Sequence, residues 1–357
     1  SNFQPISLLR FLSKLLEYLM LTRLNRFLQD VDFFSTAQHG FRKDKSTLTA
    51  LQAMTEFIFR SLDSGKTVLG CFIDLTKAFD LASHEILLLK LEKIGVRGLP
   101  LDWFASYLAD RPWRVMVNGD GGCFYSSDRV STCGVPQGSL LGPILFLILV
   151  NDLPEALADP GSLVVNFADD TNFLVQGNSL EDCIAIAQGK FRSLESWIHA
   201  NHLVLNQTKT KSVHFRARGA TVGSVLLGST DVTFSNSTSF LGLQIDENLK
   251  FQEHAVNLLS RLSKVCYCLR RLRSVVSTHS LKAAYHGLFL SRARYGIVFW
   301  STPGNLELIF KMQKRALRIV SGIPPRASCR GRFKANGFLT LPGLYIYESL
   351  LLSVAQR

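Results

Sequence analysis

The 357-residue sequence predicts an α+β fold that ends in a basic, almost wholly helical module. Three observations carry this expectation. Apolar strand-like runs alternate with helix-period stripes as far as Ile245, helical periodicity dominates past His254, and the surplus positive charge lies in that last part.

The elements follow in order. Residues 6–28 carry Leu8, Leu12, Leu15, Leu16 and Leu19 at helical spacing, which predicts an amphipathic helix with that stripe against the core. Ser46-Thr47 precedes a second helical run, Leu48 to Leu62, stopped by Asp63-Ser64-Gly65-Lys66. Val68 to Ile73 is a strand-like run ending at Asp74, and His84 to Ile94 is a helix stopped at Gly95. Trp113 to Asn118 reads as a strand with Asn118-Gly119 as its hairpin turn, followed by a strand from Cys123 toward Val130. Gly134-Val135-Pro136-Gln137-Gly138 breaks regular structure and leads into a buried apolar segment, Ile144 to Val150. Val164 to Gln176 reads as a hairpin with Asp169 and Asp170 at or near its turn, and Leu180 to Trp197 as a helix. Short strands are expected at Ser212 to Arg216 and Ser239 to Ile245. Beyond them Ala255, Leu258, Leu259, Leu262, Val265, Leu269 and Leu272 form one stripe, with Arg261, Lys264 and Arg271 off it.

Composition narrows the function classes. The chain is 47% hydrophobic, so it can bury a large core and is not disordered. No segment reads as a membrane span or a secretory signal, which predicts an intracellular protein with no membrane partner. Ser1 stands where an initiator Met would, as in a fragment or a processed product. Seven scattered cysteines match no zinc spacing and read as reduced core thiols. Net charge is +12, but from Val256 to Arg357 there are seventeen Lys or Arg against Glu307 and Glu348 alone. That segment carries +15 and the remainder −3. A basic module beside a near-neutral one suggests a polyanion held by one and worked on by the other.

The chemistry rests on carboxylates at strand ends. Asp74 follows one apolar run, and Asp169-Asp170 follows another, Leu163 to Ala168. Taken alone, Asp-Asp is an ordinary solvated turn. At the ends of adjacent strands, carboxylates about 4 Å apart repel by about 4 kcal/mol at an effective dielectric near 20. Such a cluster calls for a cation, and Mg2+ binds a few carboxylates together with substrate phosphates. Two such ions can clamp the attacking and leaving oxygens of a phosphoryl transfer. The expected activity is metal-dependent nucleotidyl transfer.

Several blocks together resemble the reverse transcriptase of non-LTR retrotransposons of the jockey-like type. They are Gln38 to Thr47, Phe72 to Asp80, Gly134 to Pro143, Phe167 to Thr171, Asn206 to Thr210, Phe240 to Leu243 and Tyr295 to Trp300. The resemblance is collinear from Pro5 to Glu348. It implies a right-hand polymerase fold: fingers, a palm with an antiparallel sheet backed by helices, and a helical thumb. The implied divisions are fingers at 1–66, palm at 67–245 with an inserted fingers segment near 95–130, thumb at 246–325, and a C-terminal extension at 326–357. The implied function is RNA-directed DNA synthesis from a primer 3′-OH and dNTPs on two Mg2+ ions, with Mn2+ as an alternative. RNA template, DNA primer and RNA–DNA hybrid would be the partners, and the nucleus the place of action.

By the same resemblance Asp74 and Asp169 bind the metals and Asp170 completes the catalytic cluster. Phe79 is the steric gate at the sugar, while Asp80, from its residue type alone, reads as no more than a cap of the next helix. Gln137 lies at the nucleotide pocket, Arg42 contacts the triphosphate, and Lys209 faces the leaving pyrophosphate. Phe240, Leu241 and Gly242 form the primer grip. The chain departs from the family at Gln4, at Ser83-His84 and at Leu149. Two other readings stand beside this one: a catalytically silent remnant that binds RNA or hybrid, and a polymerase of the group II intron maturase kind.

Overall fold

The computed structural model describes residues 6–119, 122–215 and 223–354, and divides the chain into units at Ser235/Asn236. Gln4, Pro5 and Arg216 lie outside the described residues.

The first unit begins with α1 (Phe11–Asp30) and α2 (Thr47–Asp63). A capping box starts α2: Ser46 Oγ accepts from Thr49 N while Thr49 Oγ1 accepts from Ser46 N. Strand β1 (Thr67–Ile73) follows, then α3 (Ala78–Leu81), α4 (His84–Lys93) and α5 (Leu99–Leu108). Four short strands come next: β2 (Arg111–Trp113), β3 (Met116–Gly119), β4 (Gly122–Tyr125) and β5 (Arg129–Ser131). Then come α6 (Gly142–Val150), α7 (Leu153–Ala156), β6 (Ser162–Phe167), β7 (Asp170–Gly177) and α8 (Leu180–Ala200). Strands β8 (Lys211–Phe215), β9 (Ser224–Leu227) and β10 (Thr230–Phe234) close the unit.

One six-stranded sheet, in the order β6-β7-β1-β8-β10-β9, organises this unit. All its pairings are antiparallel except β8 with β10. Leu69, Cys71 and Ile73 of β1 enter a core shared with α6 and with Cys183, Ala187, Phe191 and Leu194 of α8. Val68, Gly70 and Phe72 alternate to the other face. Buried on both faces, β1 reads in sequence as an unbroken apolar run. Helix α6 is likewise apolar all round and buried at every residue but Pro143.

The second unit opens with β11 (Ser237–Phe240) and β12 (Leu243–Asp246), then α9 (Gln252–Leu272) and α10 (Thr278–Ala284). A π-helical turn at Tyr285–Leu290 leads into α11 (Ser291–Arg294), α12 (Ile297–Trp300), α13 (Pro303–Ser321), α14 (Arg332–Asn336) and α15 (Leu341–Val354). The α9 stripe is buried at Ala255, Leu258, Leu262, Val265 and Leu269, and Arg261, Lys264 and Arg271 are exposed, as expected. Gln313 of α13, wholly buried, donates to Tyr285 Oη at 2.9 Å and to Leu339 O at 3.0 Å, and accepts from Leu341 N at 2.8 Å.

The structure departs from expectation in five places. Leu8, Leu12, Leu15, Leu16 and Leu19 are exposed, and α1 instead buries Glu17, Leu24 and Leu28. Periodicity finds an apolar stripe but does not decide which face is covered, and here Glu17 on a different face is the anchor. It accepts from Tyr107 Oη at 2.8 Å and from Leu140 N at 2.7 Å. Asn118 and Gly119 are not a turn: they belong to β3 and pair with Cys123 and Gly122. The expected strand at Ser239 to Ile245 is folded back on itself at Leu241-Gly242. Strands β9 and β10 were not expected at all. All seven cysteines are free, but only Cys71, Cys183, Cys266 and Cys329 are buried; Cys123, Cys133 and Cys268 are exposed.

Candidate active site

The β-register brings the three carboxylates to one end of the paired strands β1, β7 and β6. Ile73 of β1 faces Thr171 of β7, so Asp74, one step on, comes level with Asp170. Asp74 also continues the face of Phe72, away from the α8 core. Phe167 pairs with Asp170, leaving Ala168 and Asp169 as the two-residue turn of the β6–β7 hairpin. Ala168 sits at φ +55°, and Asp169 has no positive φ, the pattern of a type II′ turn. Gly is the usual residue at that first position, so Ala168 is held there against a steric penalty.

The electrostatics follow from this crowding. Burial pushes the Asp169 carboxyl above the ordinary carboxylate range, and Asp74 adds to the rise while a backbone N–H restrains it. Asp170 is exposed as a residue, yet protein crowding around its carboxyl, then Asp169 and Asp74, push it up to about 6. Lys209 pulls the other way. Its Nζ lies 3.5 Å from Asp74 Oδ2. The 206–210 turn that carries it is docked beside the strand end: Asn206 N donates to Asp74 O at 2.8 Å, and Leu75 bridges Leu205.

Gln137 lies in a loop moored on the segment just after Asp74. Gly134 N donates to Ala82 O at 2.7 Å, Val135 N to Phe79 O at 2.8 Å, and a His84 ring nitrogen pairs with Gly134 O at 2.8 Å. Gly134 has φ +86°, and a Cβ there would stand 2.7 Å from Asp80 O, so both conformation and space demand glycine. Gln137 Nε2 donates to Asp80 Oδ1 at 3.0 Å. Asp80, expected only as a cap of the next helix, lies inside α3; α4 is capped by Ser83, whose Oγ accepts from Ile86 N, and Asp80 instead holds Gln137. Sequence reasoning missed this role, and those of His84 and of Glu17 below the loop. The signal available to it was only that Asp80 and His84 adjoin the Asp74 block.

The Phe79 ring stacks on Phe146 of α6, centroids 4.2 Å apart, and remains only partly buried. Arg42 is half-buried; its Nη1 donates to Ser35 O at 2.6 Å, and its guanidinium lies over the Phe34 ring, 5.2 Å from the centroid. Asn151 fixes that segment by accepting from Ser35 N at 2.9 Å and donating to Phe33 O at 2.7 Å. Thus Asp74, Asp169, Asp170 and Lys209 are brought together, as are Phe79, Asp80 and Gln137. Arg42 is tied to its own loop.

Phe240, Leu241 and Gly242 belong to the second unit. Phe240 is buried, and the β11–β12 turn presents Leu241 (φ +47°) and Gly242 (φ +81°), the two positive angles of a type I′ turn. Tyr295 Oη donates to Leu241 O, which pins that turn to the Tyr295-Gly296 segment. Both acids of the basic region are paired, Glu307 with Lys311 and Glu348 with Arg294, each at 2.7 Å.

As placed, no three His, Cys, Asp or Glu side chains among the described residues close around a common metal position, and the cation facing Asp74 is Lys209. The donor set nonetheless suits a hard divalent ion: all oxygen, with the charges of Asp169 and Asp170 disfavoured in the protein alone. Among the described residues no helix is long and apolar enough to cross a membrane.

The chain is similar to several known proteins. The "Probable RNA-directed DNA polymerase from transposon BS" of Drosophila melanogaster is 29% identical over 339 residues, covering 90% of this chain and 36% of that protein. The "RNA-directed DNA polymerase from mobile element jockey" of the same organism is 27% identical over 336 residues, with the same coverages of 90% and 36%. The chain thus spans little more than a third of the length of these relatives. A telomerase from Candida tropicalis, solved with a fragment of telomeric RNA, aligns with 92% of this chain and 57% of its own at 14% identity and a TM-score of 0.47. The family model described as "Reverse transcriptase (RNA-dependent DNA polymerase)" matches residues 1–245, well over half of the chain, with the Asp74 and Asp169-Asp170 sites inside it, and the chain belongs to that family.

Proposed function

We propose that this chain is an RNA-directed DNA polymerase of a jockey-like non-LTR retrotransposon, extending a primer 3′-OH with dNTPs on an RNA template in the nucleus. The observation that carries the reading is the β1–β7 register, which sets Asp74 level with Asp170 beside the Asp169 turn. Family membership implies divalent metal ions. Mg2+ is the ion we assign, in a pair, with Asp74, Asp169 and Asp170 as the residues that would hold it. Such ions would supply Lewis-acid stabilisation of the charge that develops in phosphoryl transfer. The chain's own residues position the reactants. Arg42 exchanges its bond to Ser35 O for phosphate oxygens, a bidentate match for a guanidinium. Phe79, backed by Phe146, meets the sugar at C2′ and leaves no room for a hydroxyl. Gln137, held by Asp80, borders the nucleotide, and Lys209 delivers a proton to the departing pyrophosphate. Phe240, Leu241 and Gly242 guide the primer end.

In domain terms we assign fingers to 1–66 and about 95–130, the rest of 67–245 to the palm, 246–325 to a thumb and 326–357 to an extension. The thumb's exposed Arg261, Lys264 and Arg271 would contact hybrid phosphates, so binding should weaken steeply with salt, by about 0.9 log per log for each contact. The deciding experiment is primer extension on poly(rA)–oligo(dT) with Mg2+ and dTTP, beside an Asp169→Asn control. Extension that disappears in the control supports the polymerase and its site. No extension by either protein, with tight hybrid binding, selects the silent remnant.

A further inference from the structure

The Asp169 turn does not stand alone. The segment Ala37 to Gly40 runs alongside β6: Gln38 bridges Asn166 in parallel, His39 N donates to Asn166 O at 2.8 Å, and Asn166 N donates to Ala37 O at 2.9 Å. Gln38 is 2% exposed, and its amide is spent on the turn. Its Oε1 accepts from Ala168 N at 3.0 Å and from Gly40 N at 2.8 Å, and its Nε2 reaches Ala168 O at 3.4 Å. Both backbone polar groups of Ala168, the residue at φ +55° next to Asp169, are therefore held by one side chain from 130 positions away. Gly40 closes the contact, since a Cβ there would stand 2.4 Å from Ala168 N. The same short segment leads into Arg42.

We infer that Gln38 is a positioning residue: it holds the Ala168-Asp169 turn in its strained form and so sets the Asp169 carboxylate for metal binding. This rests on the polymerase reading above. Supporting groups one step behind a metal ligand commonly change affinity or rate by about 10- to 100-fold. A residue that fixes only the metal-binding carboxylate should act on turnover and metal affinity, leaving nucleotide affinity alone.

The test compares wild type, Asp169→Asn and Gln38→Met, which keeps the length of the side chain and removes its hydrogen bonds. Three readings are taken: melting temperature, calorimetric titration with Mn2+ alone, and steady-state extension of oligo(dT) on poly(rA). For Gln38→Met the expected result is a melting temperature within a few degrees of wild type, kcat and Mn2+ affinity each down about 10- to 100-fold, and dTTP KM within about twofold. A folded Gln38→Met with wild-type kcat and Mn2+ affinity overturns the inference, as does a rise in KM alone. If Gln38→Met is badly destabilised, Gly40→Ala, which pushes on the same Ala168 N, must give the same pattern. Unfolding of both variants also overturns the inference, because the contact is then a general folding element. If wild type binds Mn2+ but extends no primer, the polymerase reading falls while the Mn2+ comparison still decides the role of Gln38. If wild type does neither, both fall.

Discussion

Lys209 Nζ stands 3.5 Å from Asp74 Oδ2, 135 positions away in the chain, and is the cation that faces the carboxylate cluster. The Lys209 side chain is 58% exposed and that of Asp74 33%, so the pair contributes less than about 1 kcal/mol to stability. Its value lies in charge placement. Lys209→Met should leave the melting temperature within a few degrees while lowering kcat by about a hundredfold or more, the range for loss of a general acid. Single-turnover extension with wild type as reference checks this. A variant with full turnover would reduce Lys209 to a surface ion pair.

Gln137 is aimed by Asp80, whose carboxylate accepts from Gln137 Nε2 at 3.0 Å. A hydrogen bond to a charged group contributes about 1.5–3 kcal/mol. Asp80→Ala leaves Gln137 free to rotate, and part of that energy should then be lost from nucleotide binding. The expected result is a dTTP KM raised about five- to tenfold, equivalent to about 1–1.4 kcal/mol, with kcat changed less than twofold. Steady-state titration of dTTP on poly(rA)–oligo(dT) separates the two parameters.

What could be read from the sequence divides along physical lines. Strand β1 was legible because a strand covered on both faces demands an unbroken apolar run, so a carboxylate that ends such a run, as Asp74 does, stands out. The α9 stripe was legible because it spans five helical turns with its cations off the stripe. The covered face of α1 was not, because Glu17 is buried by two long-range hydrogen bonds that no local pattern encodes. Strands β9 and β10 are four and five residues long, too short for alternation to stand above chance. In the site, residue types were legible and their partners were not. Asp80 with Gln137, Gln38 with Ala168 and His84 with Gly134 are 57, 130 and 50 positions apart, and only the fold pairs them.

His39 makes stability depend on pH. Its ring is buried, Nδ1 lies 2.8 Å from Thr49 Oγ1, and burial, aided by the Lys45 and Arg42 charges, lowers its pKa from 6.5 to about 4. Above pH 6.5 the ring is neutral in both folded and unfolded chains and contributes no pH dependence. Between 6.5 and about 4 the unfolded chain takes up a proton that the folded chain refuses, so stability falls as pH falls. Below about 4 both forms are protonated and the loss levels off at about 3 kcal/mol, since each tenfold difference in proton affinity between the two states is worth about 1.36 kcal/mol. His39→Gln removes this titration. Denaturation at pH 7.5, 6 and 5 should show wild type losing stability on acidification faster than the variant, with the gap opening only below pH 6.5. Parallel curves would show that His39 titrates normally.

Phe79 combines two duties that a substitution can separate. One face of the ring is spent on Phe146, at a centroid distance of 4.2 Å, and the residue remains only partly buried. Stacking of this kind contributes about 0.5–1.5 kcal/mol beyond area burial, so Phe79→Val should lower stability by about 1–3 kcal/mol once lost burial is included. If the other face borders the sugar, the same change opens space for a 2′-hydroxyl. Discrimination between dTTP and UTP, measured as the ratio of kcat/KM values on poly(rA)–oligo(dT), should then fall about tenfold or more, chiefly through faster UTP incorporation. Phe146→Leu is the matching control. It removes the stacking partner at a comparable cost in stability while leaving the Phe79 ring in place, so it should preserve most of the sugar selectivity. Equal loss of selectivity in both variants would assign the effect to a loosened core, and unchanged selectivity in Phe79→Val would remove the gate.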